Sequence, residues 1–127
     1  MKEICAIIRM NRINETKRAL ADAGIPSVTA RKVLGRGQGQ VEYLIQPDTA
    51  AEFEEAQSSS ECGAKLIPKR LLTVVVPDAV KDKVVQTIIR INQTGKSGDG
   101  KNFVMPVLDA YRVHTGEQGE AAVDEQT

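Results

Sequence analysis

The chain has 127 residues, 41% of them hydrophobic and 27% charged, with 17 basic and 17 acidic side chains in balance. That length fits one domain able to bury roughly two-thirds of its unfolded surface, and balanced charge leaves no global field toward nucleic acid or membrane. With no Trp, two Tyr and two Phe, stacking on single-stranded nucleic acid is excluded as a main activity.

Taken in order, Glu3 to Ile8 is an apolar run that predicts a buried strand. Asn11 or Asn14 can cap the helix that follows, whose buried face is Ile13, Thr16, Leu20 and Ala23. Gly24 and Ile25-Pro26 end it. Val28 to Leu34 predicts a second strand closing at Gly35-Arg36-Gly37. A long excursion follows. From Gln38 to Ala64 there are six acids (Glu42, Asp48, Glu52, Glu54, Glu55, Glu61) and no Lys or Arg, and such a length between elements points to function or disorder. Leu71 to Val76 is a β-branched strand, and Asp78 is positioned to cap a helix with Val80, Val84, Ile88 and Ile91 on its apolar face. Gly95 is expected to stop that helix. Phe103 to Leu108 predicts a last strand, with Pro106 placing it at a sheet edge or bulge. Ala110 to His114 reads as a short extended piece, and residues 116–127, with four acids, as an acidic, frayed tail.

No stretch is long and apolar enough to span a membrane, and the first residues lack the basic-then-apolar plan of a signal peptide, so the expected location is the cytoplasm. Cys5 and Cys62 have neither a disulfide framework nor metal-ligand spacing, which suits two free thiols. Strand–helix–strand, long loop, strand–helix–strand predicts an α+β, ferredoxin-like duplicated split βαβ, its two helices on one face of an antiparallel sheet. The opposite face, with Ile7, Leu71 and Val75, is too apolar to stay wet, so subunit association is expected.

Between the second helix and the last strand lies Thr94-Gly95-Lys96-Ser97-Gly98-Asp99-Gly100-Lys101. Glycines let backbone N–H groups turn inward around an anion, and lysines add charge beside it. The spacing from Gly95 to Gly100-Lys101 matches most of a P-loop. However, Asn102 stands where a magnesium-binding hydroxyl belongs, and this loop leaves a helix and enters a strand, the reverse of a P-loop. Phosphate binding by another architecture and a plain flexible turn both remain open at this level.

Several stretches closely resemble the PII nitrogen-signalling family. They are Met1-Lys2, Ile4, Ala6 to Arg9, Ala19-Leu20, Gly24-Ile25, Val33, Gly35, Gly37, Pro68-Lys69, Val74 to Asp78, Thr87 to Arg90, Gln93 to Lys96, Gly98 to Lys101, Phe103-Val104 and Arg112 to Glu117, the last with a departure at 114. The resemblance implies a ferredoxin-like domain at 1–115, with a target-binding loop at about 37–67, forming a homotrimer that is not an enzyme. It implies ATP or ADP bound between subunits and 2-oxoglutarate sensed beside Mg-ATP. Residue by residue, it assigns Gly98, Asp99, Gly100 and Lys101 to the phosphates and Thr94 to the nucleotide site, with Arg112 and position 114 reaching the same phosphates from a neighbouring subunit. Thr29, Gly35, Gly37, Gln38 and Val75 fall around the rest of the nucleotide, and Lys69 matches a lysine that pairs with a 2-oxoglutarate carboxylate.

Departures from the family pattern qualify these roles. His114 stands where the family usually has Arg, replacing a permanent, forked cation by an imidazole that changes charge near pH 6.5, so weaker or pH-dependent triphosphate binding is expected. The family's magnesium and 2-oxoglutarate contact is a Gln two places after the second Gly; here that place is Gly39, leaving Gln38 and Gln40 as rival ligands, with Gln40 the candidate toward Mg2+. Loss of 2-oxoglutarate sensing is the other outcome. The lengthened, acidic loop lacks the enteric modification motif around a tyrosine, Tyr43 being in the wrong context, and Ser58 to Ser60 read as linker or phosphorylation sites. The loop, with Val33 to Gly37, Ile67 to Leu72 and Asn92 to Gly95, resembles the nitrogenase-linked subgroup, which implies dinitrogenase as the target and a partner paralogue as a possible co-subunit. An ammonium transporter or another nitrogen-metabolism enzyme is the alternative target, although the loop has no Arg near its tip. A small phosphoryl-transfer enzyme is the remote alternative, with no nucleophile and base in evidence.

Overall fold

The computed structural model describes residues 1–37 and 66–123. Four strands, β1 (Lys2–Arg9), β2 (Thr29–Gly35), β3 (Ile67–Val76) and β4 (Lys101–Pro106), form one sheet in the order β2-β3-β1-β4. Every pairing is antiparallel. Helices α1 (Ile13–Asp22) and α2 (Lys81–Asn92) connect β1 to β2 and β3 to β4. This is the expected α+β architecture, with the duplicated unit folded about the central strands β1 and β3.

The alternation along β1 sorts its side chains: Ile4, Ala6 and Ile8 are buried, while Cys5 and Ile7 are only partly covered. Leu72, Val74 and Val76 from β3 join the buried set, and Leu20, Val84 and Ile88 from the helices close over it. Burying each such aliphatic side chain contributes about 1.5–3 kcal/mol. On the other face the register aligns Glu3, Val75 and Met105 in one row, Cys5, Thr73 and Phe103 in the next, and Ile7, Leu71 and Lys101 beyond them. Phe103 remains 48% exposed and Met105 38%. Cys5 is a free thiol, its pKa pushed up by burial and by neighbouring Glu3, which leaves it a poor nucleophile.

Several local expectations need correction. Asn11 and Asn14 do not cap α1: a 3-10 turn at Met10–Arg12 leads into the helix, and no side chain bonds its free N–H groups. Asp78 likewise makes no cap bond; its carboxylate lies 3.0 Å from the Met1 amine, and the entry is a 3-10 turn at Asp78–Val80. Gly24 does end α1, at φ +88°, with Ile25 N–H reaching Leu20 O at 2.8 Å and Gly24 N–H reaching Ala21 O at 3.0 Å. Gly95 does not end α2, which stops at Asn92 where Gln93 turns extended. β3 starts at Ile67, four residues before the apolar run, because Pro68, Lys69 and Arg70 pair with β1 or β2 despite their chemistry. Pro106 ends β4, an edge strand, as expected. Residues 116–123 are not frayed. Gly116 (φ +78°) and Gly119 (φ +76°) allow tight turns, Arg112 N–H bonds Glu117 O at 2.8 Å, and a short helix α3 (Glu120–Val123) follows.

Candidate functional site

The loop from Thr94 to Gly100 is fixed at its root by the helix pair. In a buried network, Asn92 Nδ2 donates to Thr16 Oγ1 at 3.0 Å and to Ile88 O at 2.9 Å, while Thr16 Oγ1 donates to Arg12 O at 2.7 Å. Arg12 Nη2 also bonds Ile91 O. The end of α2 therefore cannot swing away from α1.

Asp99 organises the loop itself. Its Oδ2 accepts from Thr94 N–H at 2.8 Å and Gly95 N–H at 3.0 Å; its Oδ1 accepts from Thr94 Oγ1 and from Arg9 Nη1, both at 2.5 Å. Arg9 Nη2 reaches Ser97 O at 2.9 Å, and Lys69 Nζ reaches Gly98 O at 3.1 Å. Desolvation raises the Asp99 pKa, but the bonds from Thr94, Arg9 and Gly95 outweigh it and hold the carboxyl well below the usual carboxylate range. Asp99, bonded to Thr94, Gly95 and Arg9, thus forms the frame of the loop. The exposed Lys96 and Lys101, with Arg9 and Lys69, make its surroundings cationic.

Two glycines shape the concavity. Gly98 has φ +94° and Gly100 φ +114°. A Cβ on Gly100 would lie 1.9 Å from Ile7 O, so only glycine lets the loop lie against β1 before it enters β4. Lys69 is only 7% exposed. Its pKa is lowered by burial and then by the Arg9 charge, partly offset by Asp99, and an anion arriving beside it would favour the charged form.

The expected site residues fall into two groups. Gly35, Lys69, Thr94, Gly98, Asp99, Gly100 and Lys101 gather at one end of the sheet, where β2 pairs with the start of β3 and the loop meets β1, and Gly37 follows two residues after Gly35. Thr29 and Val75 lie at the other end, six strand residues or about 20 Å away, lining a cleft of about 700 Å³ together with Ala122 and Val123. Arg112 belongs with this second group: its Nη2 donates to Ala121 O at 3.1 Å and its Nη1 lies 3.7 Å from Glu117 Oε1. His114 sits in the exposed turn that follows. Gln38, Gly39, Gln40, Tyr43, Ser58 to Ser60 and Cys62 lie outside the described residues. Arg9 was not singled out as a site residue from the sequence, because its partner Asp99 is 90 positions away.

Comparison with known proteins follows the same lines. The family described as nitrogen regulatory protein P-II matches residues 1–117. A nitrogen fixation nifHD region GlnB-like protein 2 of Methanobacterium ivanovii is 45% identical, the alignment covering 97% of this chain and 99% of that protein. A nifHD1 region counterpart in Methanosarcina barkeri is 42% identical over the same shares. The nitrogen regulatory protein P-II 1 of Escherichia coli (strain K12) is 38% identical, over 97% of this chain and 100% of that protein.

Proposed function

The chain belongs to the PII family of nitrogen regulatory proteins, in its nitrogenase-linked subgroup, and on that premise we propose that it senses nitrogen status by binding ATP or ADP and 2-oxoglutarate, and regulates nitrogenase by direct contact. The family is regulatory and not enzymatic. In this reading the sensor domain spans 1–115, the target is gripped by the acidic segment at about 37–67, and 116–127 is an acidic C-terminal extension.

The division of the candidate residues between two ends of the sheet carries the proposal. The glycine loop with Arg9 and Lys69 offers amides and cations suited to a polyphosphate, whereas Thr29, Val75 and Arg112 lie at the far end. One ligand can meet both groups only if two copies of the chain bring opposite ends together. The apolar sheet face with Ile7, Leu71, Phe103 and Met105 supplies a reason for copies to associate, and a homotrimer, alone or mixed with a paralogue, satisfies both needs.

In that assembly Gly98, Gly100 and Lys101 receive the phosphates, while Arg112 and His114 approach from the neighbouring copy. Among the described residues no group of three or more His, Cys, Asp or Glu could hold a metal ion. Magnesium would be carried by the triphosphate and would neutralise phosphate charge, and Gln40 is the side chain proposed to hold it. Lys69 couples the two ligands. Its ammonium already bonds the loop at Gly98 O, so a carboxylate drawn to Lys69 acts on the same loop that holds the phosphates. The two ligands then bias one conformational equilibrium through differential affinity.

Calorimetry on the purified chain tests this. ATP and ADP should each bind saturably, and 2-oxoglutarate should bind only when Mg-ATP is present. A chain that binds no adenine nucleotide overturns the proposal.

A further inference from the structure

A second polar cleft, of about 480 Å³, lies on the helix-bearing side of the sheet, between the start of α1 and the β2-β3 pair. Its polar lining is Asn11, Asn14, Lys17 and Arg70, and no carboxylate is among the described residues that line it. Arg70 pairs with Ile8 and Lys32 in the register, which places it on the same face as the buried Ile8 and beside a second cation. Its Nη1 is inaccessible to solvent and makes no hydrogen bond. A buried guanidinium N–H without an acceptor is destabilising until one is supplied. Asn11 and Asn14, both exposed at the mouth of the cleft, do not cap the helix beside them.

Four donor groups, two of them cationic, converge on this cleft with no acceptor charge among them. A neutral ligand would leave both cations uncompensated, and a cation is repelled. An oxyanion is acceptor-only, matches the planar fork of Arg70, and can take amide protons from Asn11 and Asn14 while Lys17 closes over it. We propose that this cleft is a second anion site, separate from the glycine loop, and that it takes a compact dianion of the phosphate type. The site does not depend on the nucleotide reading, because none of its four side chains belongs to the loop or to Lys69.

The test is a titration of the uniformly 15N-labelled full chain with inorganic phosphate at constant ionic strength, following backbone amides. Saturable shifts at Asn11, Asn14 and Ala30 are expected, with Arg70→Gln and Lys17→Gln each weakening the apparent affinity tenfold or more. Lys17 is exposed, so its variant keeps the fold should Arg70→Gln lose it. Lys101→Ala, in the glycine loop, should leave these shifts unchanged. The proposal is overturned by shifts confined to Gly98 to Gly100, by chloride producing the same pattern, or by Lys17→Gln titrating as wild type, which means an adventitious ion only.

Discussion

Gly100→Ala is the most searching single change in the glycine loop. The new Cβ would sit 1.9 Å from Ile7 O and 3.0 Å from Ile7 C, where real Cβ atoms do not approach within 3.0 Å. The loop and β1 must therefore part by about 1 Å, and at φ +114° an alanine is strained whatever the space; the strain alone costs about 1–2 kcal/mol. Ile7 pairs with Lys101, so the displacement falls on the residues proposed to meet phosphate. Losing one or two charge-assisted hydrogen bonds, each about 1.5–3 kcal/mol, corresponds to a roughly 100-fold loss of ADP affinity. Calorimetry with ADP measures it, with circular dichroism and gel filtration checking fold and assembly. Gly95→Ala is the control: φ is +83° but nothing lies within 4 Å, so strain occurs without collision and the loss should stay below about tenfold. If Gly100→Ala binds ADP as wild type does, the loop does not hold the phosphates.

Asp99→Asn removes the charge that meets Arg9 at 2.5 Å and should weaken ADP binding about tenfold while leaving the core intact, as read by calorimetry and thermal unfolding. The folded pKa of Asp99 lies below its ordinary 3.8. Its contribution is therefore complete above the unfolded value and lost as pH falls from there through the folded one, so the Thr94 and Gly95 amide signals should hold from pH 7 to pH 4 and move only in stronger acid. Lys69 has the same sense in a different window: its folded pKa lies below 10.5, so stability rises with pH between the folded value and 10.5. A 2-oxoglutarate carboxylate beside Lys69 raises that pKa, so binding between the folded value and 10.5 should take up protons, detectable by calorimetry in buffers of different ionisation enthalpy. His114→Arg, which supplies a permanent, forked cation, should raise ATP affinity in calorimetry; an unchanged affinity refutes a role for position 114. Replacing the acids between Gln38 and Ala64 by Gln should abolish target capture in pull-downs while ADP binding survives.

The sheet and both long helices were legible because their burial follows simple periods: Ile4, Ala6 and Ile8 alternate in β1, and Thr16 and Leu20 fall one turn apart in α1. Local capping was misread at Asn11, Asn14 and Asp78 because 3-10 entries intervene and Asp78 meets an amine instead. The β3 extension was hidden because Lys69 and Arg70 interrupt the apolar pattern that marks a strand, and only cross-strand pairing reveals it. In the site, glycine content and order flagged the loop, but local sequence could not distinguish the acid that frames it from the groups that face a ligand. The role of Asp99 within the loop, beside the nucleotide role expected for it, depends on Arg9 arriving from β1. The separation of Thr29 and Val75 from the loop is likewise a matter of register and not of local pattern.

The reading as a nitrogen-status sensor is tested most directly by capture of target from nitrogen-fixing cells on the immobilised full chain, with ADP, with ATP, and with Mg-ATP plus 2-oxoglutarate. Dinitrogenase should be recovered without 2-oxoglutarate and released when it is added. Recovery of an ammonium transporter alone, or of dinitrogenase regardless of 2-oxoglutarate, contradicts it.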